Sequence, residues 1–160
     1  MKAATVTQIK RELQNRPPEE LLQLCLRLAK FKKENKELLT YLLFEAQDEE
    51  GYIKVVQQEV DEQFEQINRK SFFFIKKSIR KILRMVKKYI RYSSKKETEV
   101  ELLIYFCYKL QHMQPSFKRS TVMKNLYLRQ VHLIEKGIEK LHEDLQADYE
   151  HELKDLRLHE

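Results

Sequence analysis

Residues 69–96 read RKSFFFIKKSIRKILRMVKKYIRYSSKK, and this stretch sets how the rest of the chain is read. It holds twelve Lys and Arg residues and no Asp or Glu. The whole chain carries 31 basic and 25 acidic side chains, a net charge of +6. Without the stretch the balance is 19 basic against 25 acidic, or −6. An acidic body therefore accompanies one strongly basic segment. Each residue of a helix turns the chain by about 100°. On that geometry Lys76, Lys77, Arg80, Lys81, Arg84, Lys87, Lys88, Arg91 and Lys95 share an arc of roughly 140°. Phe72, Ile75, Ile79, Ile82, Leu83, Met85, Val86, Tyr89 and Ile90 gather opposite them. Of the three phenylalanines at 72–74, only Phe73 points into the basic side. The spacing predicts an amphipathic helix over residues 71–92, roughly 33 Å long, with one side fit for a core.

Such a helix repels itself. Basic residues three or four apart cost a few tenths of a kcal/mol per pair, and the pairs from Lys76–Arg80 to Lys88–Arg91 sum to about 2 kcal/mol at low salt. Salt, an acidic neighbour or an anionic partner must offset that. The segment just before it, about residues 49–68, is the internal candidate. Ile53, Val56, Val60, Phe64 and Ile67 form its apolar stripe, and Glu59, Asp61, Glu62 and Glu65 make the rest acidic. An antiparallel pair would bring those carboxylates toward the cations, although four cannot neutralise nine.

Outward from this pair, composition limits the fold. Two glycines and three prolines supply few of the turns that hairpins of strands need. With 42% hydrophobic residues the chain has material for a core. The expectation is an all-α protein of seven to eight helices, a compact bundle or a short stack of helical hairpins, as a single domain over residues 1–160. No run of about 18 apolar residues exists to span a membrane, and no apolar leader is visible. Cys25 and Cys107 both sit in apolar helical runs and read as reduced core residues, which fits a cytoplasmic setting.

Toward the N-terminus, Thr5-Val-Thr-Gln8 is a capping box, and Asn15-Arg-Pro-Pro separates it from a helix carrying Leu21, Leu24, Cys25, Leu28 and Phe31. The polar run at 32–37 reads as a connection, and the apolar LLTYLLFEA after it as a central core helix. Asp48 is positioned to cap the acidic helix. Toward the C-terminus, capping boxes start at Ser94 and Thr98, and Val100, Leu103, Cys107, Leu110 and Met113 form the next helix. Tyr127, Val131, Ile134, Ile138, Leu141, Leu145, Tyr149, Leu153 and Leu156 then make one long stripe. As a single helix it would be roughly 50 Å long. It must bend near Gly137 or in QADYEHE, or project, with residues 143–160 as a projecting or frayed tail. A projecting stripe would take a partner helix through Val131, Ile134, Ile138, Leu141 and Leu145, so a homodimer is one expectation. EELLQLCLRLAK at Glu19 also echoes VELLIYFCYKLQ at Val100, as stacked hairpins would.

The chemistry that motifs could carry is absent. No phosphate-cradling glycine loop, no Cys-x-x-Cys and no His-Glu-x-x-His occurs. Glu139-x-x-His142 and Asp148-x-x-His151 have a di-iron spacing, but both lie in one charged region rather than on facing helices. We therefore expect no catalytic residues, metal or cofactor. The functional expectation is a non-enzymatic binding protein. Its helix at about 70–92 would use Lys76, Lys77, Arg80, Lys81, Arg84, Lys87, Lys88 and Arg91 to contact a polyanion, foremost nucleic-acid phosphates without sequence readout. Lys118, Arg119, Lys124 and Arg129 extend the patch if their helix packs nearby. The competing expectation is a helical scaffold binding proteins through the C-terminal stripe. A membrane surface ranks last, because it needs the apolar half that the core also needs.

Overall fold

The computed structural model describes residues 1–157, and every regular element in it is helical. The eight α-helices are α1 Val6–Gln14, α2 Pro18–Phe31, α3 Lys33–Thr40, α4 Glu49–Glu65, α5 Phe72–Ser93, α6 Lys96–His112, α7 Thr121–Ile138 and α8 Glu143–Leu156. A π-helical turn, Tyr41–Glu45, and a 3-10 turn, Phe117–Arg119, complete the set. None of the helices among the described residues is long and apolar enough to cross a membrane. The chain divides into two units, Met1–Phe44 and Glu45–Glu160, where length and composition suggested one.

In the first unit, α1 begins with the expected capping box. Gln8 N–H donates to the Thr5 hydroxyl, and Thr5 N–H donates to Gln8 Oε1. Pro18 opens α2, where its missing N–H costs nothing. The polar run at 32–37 is not a connection. Only Lys32 is extended, and α3 starts at the next residue. Helices α1 to α3 bury no residue. Leu28 and Phe31 are exposed, as are Leu42, Leu43 and Phe44 of the run read as a core helix. The reason is a shortage of neighbours: the other helices of the first unit, α1 with nine residues and α3 with eight, are too short to cover the apolar residues of α2. Cys25 is exposed for the same reason, whereas Cys107 is buried.

The second unit is built around α6. Its apolar residues face all directions, so it must be covered on all sides. Val100, Leu103, Phe106, Cys107 and Leu110 are each no more than 1% exposed. Helices α4, α5, α7 and α8 supply the cover. Phe64 of α4 meets Phe106 with ring centres 6.0 Å apart, and Phe117 stacks on Tyr127 at 4.8 Å. Helix α7 approaches α6 so closely that a Cβ on Gly137 would sit 2.6 Å from Val100 Cγ2. The long C-terminal stripe breaks just after that glycine. Helix α8 folds back on α6 and α7, burying Tyr149, Leu153 and Leu156, so Glu143–Leu156 is no projecting tail. The remainder of the expected tail, 158–160, lies outside the described residues. Central α6 and exposed α2 have unlike surroundings, so the sequence echo between them does not correspond to a repeated packing unit.

Candidate anion-binding face

Helix α5 keeps the predicted polarity. Ile75, Ile79, Ile82 and Val86 are at most 2% exposed, so the apolar half belongs to the core and is closed to a membrane. On the other side Lys77, Arg80, Lys81, Arg84, Lys87 and Arg91 are exposed, and Lys76 and Lys88 are half-buried. From Lys77 to Arg91 the exposed cations cover roughly 21 Å of helix. Ser94, at φ 57°, ends the helix with its N–H donating to Ile90 O. That left-handed cap uses the residue expected to start the next capping box. Helix α6 instead begins after Lys95 without a side-chain cap.

The ends of the basic stretch are structural. Arg69 donates from Nε to Gln114 O at 2.9 Å and from Nη2 to Phe64 O at 3.4 Å, fixing the link between α4 and α5. Lys95 pairs with Glu49 at 3.1 Å, and Lys96 pairs with Glu99. The middle is different. Among the described residues no carboxylate pairs with Lys76, Lys77, Arg80, Lys81, Arg84, Lys87 or Arg91. Lys88 lies over the Tyr89 ring at 5.0 Å.

The acidic helix is antiparallel to α5 and packs on it, yet among the described residues none of its carboxylates pairs with Lys77, Arg80, Lys81, Arg84, Lys87 or Arg91. Tyr52 of α4 donates to Tyr89 O at 2.8 Å, near the far end of α5. Glu49 accepts from Ser93 and, at 2.6 Å, from Thr98, besides its pair with Lys95. Glu59 accepts from the Tyr89 hydroxyl at 2.8 Å. Asp61 accepts from Tyr105 at 2.8 Å and pairs with Lys109 at 2.9 Å, both on α6. Burial, reinforced by the bond to Asp61, pushes the Tyr105 hydroxyl up to about 12. The sequence placed the right helix beside α5 but not the direction of its carboxylates, which is set by hydroxyls of α5 and α6 and by Lys95 and Lys109.

Helix α7 adds to the face. A groove of about 1000 Å³ is lined by Leu83 and Lys87 of α5 and by residues of α7 that include Asn125, Arg129 and His132. None of its lining residues is a carboxylate. Arg129 therefore joins the cations of α5, while Lys118, Arg119 and Lys124 are exposed outside the lining. Asn125 and Gln130 had no sequence signal. Gln130 is 3% exposed and donates from Nε2 to Leu126 O at 3.0 Å; its Oε1 has no partner among the described residues.

The expected partner stripe is placed otherwise. Val131, Ile134 and Ile138 are buried in the second unit, at 6%, 0% and 1% exposure, and Leu141 and Leu145 are half-buried. Three of the five thus have no surface to offer a partner helix, because α6 already covers them. His142 is the N-cap of α8 and accepts from Asp144 N at 3.3 Å, while His151 is exposed. Among the described residues no three His, Cys, Asp or Glu side chains are grouped to hold a metal ion. Comparison of the chain with protein-family models, with curated proteins and with solved structures finds no match.

Proposed function

We propose that the second unit is a non-enzymatic polyanion-binding module, acting on nucleic-acid phosphates through α5 without reading sequence, in a cytoplasmic setting. One observation carries this reading. Lys77, Arg80, Lys81, Arg84, Lys87 and Arg91 are exposed and, among the described residues, pair with no carboxylate, although an acidic helix packs directly against the same helix. A solvated face costs repulsion along its length, and phosphates would relieve it. Arg129 widens the surface, and Phe73, 67% exposed, offers one ring for stacking. Retention on heparin or on DNA of mixed sequence tests it. With six exposed cations as the upper limit, log K should fall against log salt with a slope of up to about 5 on duplex DNA. Reversing Lys77, Arg80, Lys81 and Arg84 to Glu should remove retention while helicity by circular dichroism stays. Wild-type protein that passes such a column at ~50 mM salt would sink the proposal.

The second reading, a protein-interaction scaffold, draws support from the first unit rather than from the C-terminal stripe. Leu24, Leu28 and Phe31 lie on one side of α2 and are 42%, 61% and 83% exposed. On this reading Leu28→Glu/Phe31→Glu removes self-association mediated by that side. Unchanged light scattering in the double variant would count against it.

A further inference from the structure

The second unit carries a surface chemically opposite to α5. A groove of about 880 Å³ runs between α6 and α8. Its walls are apolar and aromatic, from Ile104, Tyr105, Tyr108, Leu145 and Tyr149. Five carboxylates line it as well: Glu97, Glu101, Asp148, Glu152 and Asp155. No Lys or Arg lines it, and among the described residues none of the five has a cationic partner within ion-pair distance. The Tyr149 hydroxyl lies 3.2 Å from Glu97 and 3.4 Å from Glu101. Half-buried Glu101 and exposed Glu152, whose carboxyl is partly screened from solvent, are each held above the usual carboxylate range, chiefly by that desolvation.

Helix α5 presents the counterpart. Phe73 is 67% exposed and stands edge-on to Phe74, with ring centres 5.4 Å apart. Lys77, Arg80, Lys81 and Arg84 follow at four, seven, eight and eleven residues, so they share its side of the helix. An exposed ring among cations matches an apolar-walled groove set with carboxylates. Helix α5 contributes no lining residue to that groove. Both surfaces are fixed on packed helices, so they can meet only between molecules.

We propose that the groove between α6 and α8 docks the Phe73 end of α5 from a second copy of this chain. The two surfaces differ, so the contact is heterologous, and each added copy leaves one helix and one groove free. Association should therefore extend beyond a dimer unless the geometry closes a ring. It should weaken as salt screens the charges. The proposal shares the Phe73 and cationic side of α5 with polyanion binding, but the groove takes no part in that reading.

Light scattering of the purified, nuclease-treated full chain tests it. At ~0.05 M salt the apparent mass should exceed the monomer value and grow with concentration, and ~0.5 M salt should return it to monomer. Two double variants change only exposed residues. Phe73→Ser/Lys77→Glu disables the helix, and Asp148→Lys/Glu152→Lys disables the groove. Each alone should be monomeric, and an equimolar mixture should stop at one-to-one dimers, because one helix and one groove remain. The groove variant should keep its heparin retention, which separates this result from the polyanion reading. A monomeric wild-type chain at low salt would overturn the proposal. So would association that persists in either variant, or that vanishes on nuclease treatment and so reflects bridging nucleic acid. A mixture that stays monomeric while the wild type associates would overturn it too.

Discussion

Glu49 joins three helices with one carboxylate. It accepts from Ser93 at the end of α5 and from Thr98, 1% exposed, at the start of α6, and it pairs with Lys95 between them. Glu49→Ala would leave buried hydroxyls without their acceptor, and such groups cost about 1–3 kcal/mol each. We expect about 2–3 kcal/mol lost in urea denaturation, and a loss below ~0.5 kcal/mol would contradict the role given to Glu49. Gly137 is a second single-residue constraint. Gly137→Ala forces a methyl against Val100 Cγ2, and overpacking of this kind costs about 1–3 kcal/mol. Adding Val100→Ala should recover part of that loss, a coupling that a double-mutant cycle measures directly. Glu101 gives a pH dependence with a definite sign. Its folded value lies above the ordinary 4.5, mainly because burial disfavours the charge. The folded state therefore holds this proton more tightly than the unfolded chain. The contribution favours folding below 4.5 and is lost as pH rises through the higher folded value. Glu101→Gln should raise stability at pH 7 and flatten that part of the pH profile, as thermal melts across pH 4–8 would record.

Helix α5 was legible almost to the residue, because thirteen of its positions are either charged or β-branched at a helical period and no carboxylate interrupts it. The acidic helix, its Asp48 cap and its stripe were legible for the same reason. What periodicity could not supply was aim. Whether Asp61 turns to Lys81 or to Lys109 depends on α6, and whether Arg129 stands beside Lys87 depends on how α7 packs. The run LLTYLLFEA fails differently. Apolarity states that a residue would gain by burial, not that a neighbour exists to bury it. The cationic side of α5 makes a prediction of its own. Lys81→Glu puts a carboxylate four residues after Lys77 and three before Arg84, replacing two repulsions by two attractions of about 0.2–0.5 kcal/mol each. It should raise the melting temperature at low salt while lowering heparin retention. A variant that loses both would show that the exposed cations support the fold itself.

At the scale of the molecule, two units of unlike character share one chain. No change in composition announces the boundary; Gly and Pro are absent around it, and a π-helical turn, Tyr41–Glu45, carries the chain across. That is why a single domain was the natural expectation. Amides of α1 to α3, on helices that bury nothing, should exchange with deuterium well before those of α6 and α7. Equal protection in both units would refute this. Helix α8 has a consequence of another kind. It closes the core with Tyr149, Leu153 and Leu156, and Gln111 and Tyr127 donate to backbone carbonyls at its end. The same helix is one wall of the acidic groove. Occupancy of the groove and docking of α8 are therefore two readings of one equilibrium. Whatever fills the groove must slow the opening of α8 by mass action, and a helix that opens less often betrays its guest without any label on either molecule.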